Sequence, residues 1–230
     1  MTEASPTGGQ RRLMLADHVY DELLTALIDG RYSGGSPLSI DGLARELEVS
    51  QTPIREALAR LESTGLVRRT ALKGYRVAPL FTTEELAELT DARLVIEPVN
   101  AYLACQRVDD ELVARLQDSI DDLAASPTGP SFAEFRGYWE ADERFHRLIA
   151  EHAHNQFLLS AYRALGGQVQ RFRLFVGLGV TDAEHAIAEH TAILEAFARG
   201  DADEAREAMR RHIGGVKRRS LNESVERETS

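Results

Sequence analysis

Apolar residues recur along this chain with two different periods, and the change of period divides it. Leu15, Val19, Leu23, Leu24, Leu27 and Ile28 share one helical stripe that ends at Gly30. Residues 32–37 are rich in Gly, Ser and Pro and predict a turn. Ser39 is placed to cap a short helix from Ile40 to about Leu47, and Ser50 a second one from Gln51 to about Thr64. Pro53 falls in the first turn of that second helix, where a missing N–H costs nothing, and Gly65 stops it. Ile54, Leu58 and Leu61 form its inward face, leaving Gln51, Thr52 and Arg55 outward near its start. The period then changes to two. Residues 66–70 and 75–78 alternate around Lys73-Gly74 and predict a β-hairpin. Helix, helix, turn, helix, hairpin is the order of a winged helix-turn-helix, whose third helix enters the DNA major groove.

From Thr82 onward every pattern is helical. Thr83 is read as the cap of a helix to about Arg107, with Pro98 as a kink. Residues 109–124, 132–152 and 155–176 follow as further helices, with a loop at 126–130 and a turn at 177–180. Thr181-x-x-Glu184 reads as a capping box opening a helix to Arg199-Gly200, and Asp201-x-x-Glu204 opens the last, to about Val216. The fold class predicted is mainly α: an N-terminal α+β winged helix-turn-helix over 12–80, then an all-α antiparallel helical bundle over 83–218. Residues 1–11 and 219–230 read as flexible tails.

Charge sharpens this division. The net charge of −10 argues against a nucleic-acid partner if spread evenly. It is not: residues 1–80 hold ten Lys/Arg and ten Asp/Glu, so the whole excess lies in 81–230. Cys105, the single cysteine, reads as a small buried hydrophobe, which fits a reducing cytoplasm. No apolar run approaches the ~20 residues that span a bilayer, and the first ten residues lack the apolar core of a signal peptide.

The helical half carries polar residues where apolar ones belong. Asp142 and His146 are one turn apart on a face shared with Trp139 and Ile149. His190 shares a stripe with Ile187, Leu194 and Phe197, and His212 with Ala205, Met209 and Val216. A buried polar group needs a partner. One carboxylate and three imidazoles make a donor set suited to zinc, nickel or a similar divalent ion. From pattern alone, a shared metal and three separately hydrogen-bonded core histidines both remain open. Glu189, beside His190, points about 100° away around its helix.

The motifs also carry a resemblance. L-x-x-E-L-E-V-S-Q-T-P-I-R-E-A-L-x-R-L-E-x-x-G-L-V, followed by K-G-Y-R-V, resembles the GntR family DNA-binding domain. The remainder resembles the FadR-type C-terminal domain (FCD) of that family, in its metal-binding branch. There the matching motifs are R-x-x-x-E at Arg93 and Glu97, D-x-x-x-H at Asp142 and His146, and H-N at His154 and Asn155. E-H-x-x-I at Glu189 and His190 and G-D-A-x-x-A ahead of His212 complete the set.

The resemblance implies a homodimeric regulator that binds an inverted-repeat operator. It makes Asp142, His146, His190 and His212 the metal ligands. It also implies a small carboxylate effector beside the metal, with Arg93 and Asn155 in its pocket. The candidate DNA contacts are Arg45, Gln51, Thr52, Arg55, Lys73 and Gly74. The family often has Arg where this chain has Gln51 and a basic residue near Asp41. Gln pairs better with adenine than with guanine, so a different half-site is expected. Two other readings compete: a metal-dependent enzyme acting on a small carboxylate, and a regulator whose metal is purely structural. The first lacks an evident general base and leaves the DNA-reading head without a use.

Overall fold

The computed structural model describes residues 8–173 and 180–228. The chain divides into two compact units, the first made chiefly of the residues up to Leu80 and the second beginning at Phe81. Among the described residues, no helix is long and apolar enough to cross a membrane.

In the first unit, α1 (Gly8–Ile28) packs on α3 (Gln51–Ser63), with α2 (Ile40–Glu46) between them in sequence. Val19, Leu23, Leu24 and Leu27 of α1 and Ile54, Ala57, Leu58 and Leu61 of α3 are buried, as their stripes require. α1 begins at Gly8, inside the stretch expected to be a tail. Ser39 does cap α2, accepting from the Gly42 N–H at 3.2 Å. Ser50 occupies the N-cap position of α3, but its side chain makes no capping hydrogen bond. The hairpin is β2 (Val67–Thr70) and β3 (Gly74–Val77), paired antiparallel with Val67 opposite Val77. A two-residue strand, β1 (Pro37–Leu38), adds to β3 at the end of what the sequence reads as a plain turn. Only Leu38 of β1 is buried, so it leaves no alternation to detect.

The second unit consists of α4 (Thr83–Cys105), α5 (Asp110–Ala125), α6 (Phe132–His152), α7 (Gln156–Arg173) up to Val169, α8 (Ala183–Ala198) and α9 (Ala202–Glu228). α4 packs against α9 and α6, and α5 against α6 and α8. Leu116, Phe145, Ile149, Ile193, Phe197, Met209 and Ile213 fill the space between them.

Three helix ends differ from expectation. Thr82, not Thr83, caps α4 in a capping box with Glu85. Asp182, not Thr181, sits at the N-cap of α8. α9 runs past Val216 to Glu228, through most of the expected C-terminal tail. Ser220 and Ser224 face inward there, and the Ser224 hydroxyl lies 2.9 Å from that of Thr83. Small polar residues fill that seam, so a hydrophobic period cannot reveal it. The expected turn at 177–180 lies mostly outside the described residues.

Candidate metal centre and nucleic-acid interface

Three helices bring one imidazole each to a common point. α6 presents His146, α8 presents His190 and α9 presents His212, all buried. Their ligand atoms lie within 4.8 Å of one another. His146 Nε2 is 3.3 Å from His190 Nε2 and 3.2 Å from His212 Nε2. Phe145 stacks on His190 with ring centroids 4.3 Å apart, fixing that ring in its plane. Asp142 stands beside the trio rather than within it, its Oδ1 3.7 Å from His190 Nε2.

Two carboxylates sit behind this cluster. Glu97 of α4 places Oε2 2.7 Å from His146 Nδ1; the N–H is poorly aligned with that oxygen, so the contact is electrostatic more than a hydrogen bond. Glu189 Oε2 lies 2.8 Å from His212 Nδ1. An anion against Nδ1 favours the tautomer with its proton there, which leaves Nε2 bare. Burial pushes His212 down from its ordinary value, though the hydrogen bond to Glu189 opposes this. His212 is therefore held as the neutral ring. His146 Nε2 lies 3.2 Å from His212 Nε2 and 3.3 Å from His190 Nε2, so the three nitrogens face one point. A cation at that point could take a lone pair from each ring. The donor set present fits a divalent ion.

The carboxylates are themselves held. Burial would raise Glu97, but Arg93 and then His146 outweigh it and hold the carboxyl well below its ordinary range. Arg93 gives its Nε to Glu97 Oε1 at 2.5 Å, and its two terminal nitrogens take no partner among the described residues. Burial would raise Glu189 too, yet hydrogen bonds from His212 and Arg219 bring it down to about 2. Arg219 forks onto both Glu189 oxygens at 2.9 Å and donates its Nε to Asp182 at 2.6 Å. Gly215 makes the fork possible: a Cβ there would stand 2.5 Å from Glu189 Oε1 and 2.8 Å from an Arg219 terminal nitrogen.

Glu189 is a site residue that the sequence reading did not single out. Its 100° offset from His190 turns it toward α9, where the neighbouring ligand candidate His212 stands. Asn155 is placed differently from the other pocket candidate. Its side-chain oxygen accepts from the Phe157 and Leu158 N–H groups at 3.1 and 3.2 Å, so it caps α7.

In the first unit the candidate contacts are exposed and linked. Arg55 donates to Gln51 Oε1 at 3.1 Å, and Gln51 donates to Asp41 Oδ1 at 2.6 Å. Arg45 Nε donates to the Asp41 carbonyl at 3.2 Å, and Thr52 is exposed on the same end of α3. Asp41 thus gathers the side chains at this surface. Lys73 and Gly74 form the hairpin tip, Gly74 with φ 76. Leu72 beside them is fully exposed and left-handed, with φ 63.

Comparison with known proteins gives the same division. The family model for bacterial regulatory proteins, gntR family, matches residues 15–77, and the FCD domain model matches 88–215. The Nta operon transcriptional regulator of Aminobacter aminovorans is 31% identical over 171 residues, covering 74% of this chain and 78% of that protein. Among solved structures, E. coli McbR/YncC superposes with TM-score 0.68 at 20% identity, covering 87% of this chain and 94% of that one. A transcriptional regulator GntR from Rhodococcus sp. RHA1 gives 0.65 at 23% identity, with 90% and 97% covered.

Proposed function

As a member of the GntR family of bacterial regulatory proteins that carries an FCD domain, this chain is a transcriptional regulator, and we propose that a small carboxylate controls its grip on DNA from beside a divalent metal. The observation that carries this reading is the convergence of three buried imidazole nitrogens, two backed by carboxylates that leave Nε2 free to ligate. Asp142 is the fourth candidate ligand. Zinc or nickel suits the set. Such an ion, when bound, supplies a fixed positive charge that attracts an anionic oxygen. Arg93 supplies the second: its terminal N–H groups remain open after Nε is given to Glu97. A carboxylate placed between two such charges in a buried site is held by both.

The first unit reads the operator through Gln51, Thr52 and Arg55 at the start of α3, with Arg45 beside them and Lys73 and Gly74 at the hairpin tip. One recognition helix covers too few base pairs to be selective, so the functional species is a homodimer on an inverted repeat. The relatives are regulators, and nothing favours turnover over sensing.

The test combines metal analysis with operator release. Single alanine variants at Asp142, His146, His190 and His212 are assayed for bound metal, melting temperature and release of operator DNA by a panel of small acids. Loss of metal together with loss of acid-dependent release is expected. Metal that survives His190→Ala and His212→Ala means the ligands are misassigned. Metal loss with normal release means that the ion only staples helices.

A further inference from the structure

Asn100 lies on α4 with 1% exposure, and neither its side-chain oxygen nor its nitrogen has a hydrogen-bond partner. A buried amide in that condition costs stability unless something outside the fold satisfies it. Its position says what that is. On a helix, residue 100 falls about 20° around the axis from Arg93 and about 4.5 Å beyond Glu97 along it. α4 packs against α6 and α9, the helices that carry His146 and His212. Arg93, Glu97 and Asn100 therefore form one polar strip on the interior side of α4. The strip has unspent hydrogen-bonding capacity at both ends: the terminal nitrogens of Arg93 and the whole amide of Asn100. Ala101 and Ala104, which follow on the same side, are fully buried and small.

We propose that Asn100 is a specificity-determining contact that reads a hydroxyl group on the effector, remote from the carboxylate. This rests on the carboxylate-effector reading above. An amide offers a donor and an acceptor side by side, and a hydroxyl both gives and accepts. An acid that places a methyl group there leaves the amide as unpaired as before, so the site discriminates against it. Arg93 reaches along α4 to Glu97, and Asn100 stands about 4.5 Å farther along the helix, which sets the hydroxyl about three carbons beyond the carboxylate that Arg93 holds. The class is a small hydroxylated acid, not a plain alkanoate.

The experiment uses the metal-loaded, full-length protein and a matched pair of probes. The pair, 2,4-dihydroxybutyrate and 2-hydroxybutyrate, shares its chelating end and differs by the remote hydroxyl. Titration calorimetry should show the wild type preferring the dihydroxy acid by about tenfold, the worth of one well-placed hydrogen bond. Asn100→Leu should erase that preference while keeping its metal and its affinity for 2-hydroxybutyrate. Asn100→Leu should also raise the melting temperature in the absence of acid, because the unpaired amide is gone. Arg93→Ala should weaken both acids together, which separates failure of this inference from failure of the reading beneath it. A preference that survives Asn100→Leu overturns the proposal, as does a fall in melting temperature in that variant, which would show the amide already satisfied. Binding of neither acid to the metal-loaded wild type overturns the inference together with the effector reading it rests on.

Discussion

The two units use polar side chains in opposite ways. In the first, Gln51, Thr52 and Arg55 stand exposed over a separate apolar layer of Ile54, Leu58 and Leu61. In the second, Glu97, His146, His190 and His212 are buried among the residues that hold the helices together. A surface reader can be altered without touching what folds it. A buried site cannot, because each of its polar groups costs stability unless partnered. The contrast teaches that function and stability are separable in the first unit and tied together in the second.

Metal removal is the largest effect that follows. Chelation should lower the melting temperature of the second unit by roughly 10 °C if the ion is present at about a thousand times its dissociation constant. Each histidine variant should match the stripped protein. A melting curve indifferent to chelator would break the tie between site and stability.

Next comes the carboxylate behind His212. Glu189→Ala frees that imidazole to rotate or change tautomer, so metal affinity should fall about 10- to 100-fold. Glu189→Gln keeps an acceptor and should recover part of it. Competition with a chromophoric chelator measures both, and equal affinities in all three proteins would remove Glu189 from the site.

In the first unit the same depth of perturbation should leave folding alone. Arg55→Ala should cost about 1–3 kcal/mol of operator affinity with an unchanged melting temperature. Lys73→Ala should weaken all sequences alike and reduce the salt slope by about one. Binding isotherms at several salt concentrations separate the two.

The smallest effect belongs to Tyr32. Its hydroxyl bonds both oxygens of Glu46, at 3.1 and 3.0 Å, and burial followed by Glu46 pushes it up to about 12. A group whose folded pKa is raised contributes fully below its unfolded value of about 10 and loses that contribution as pH rises through about 12. Tyr32→Phe should cost about 0.5 kcal/mol at neutral pH and flatten the alkaline limb of the stability profile. Metal content should not change.

The same contrast explains what the sequence made legible. Period and turn chemistry reveal the head because its stripes are cleanly apolar and its functional residues fall between them. Asp142 with His146 is visible as an i,i+4 pair, and His190 and His212 as polar breaks in apolar stripes. Residues acting through another helix are not. Glu189 lies off the stripe of His190, and only the packing of α8 on α9 gives it to His212. Asn100 hides because one polar residue on a mixed helix has no period. The C-terminal turns of α9 are missed because Ser220 and Ser224, not leucines, face inward.

The central claim is that His146, His190 and His212 converge on one ion. X-ray absorption spectroscopy of the zinc-loaded protein measures this directly. The account predicts three imidazole nitrogens at about 2.0–2.1 Å with oxygen in the remaining positions, and an imidazole signal reduced in His190→Ala. An all-oxygen shell, or a spectrum unchanged by His190→Ala and His212→Ala together, would contradict it.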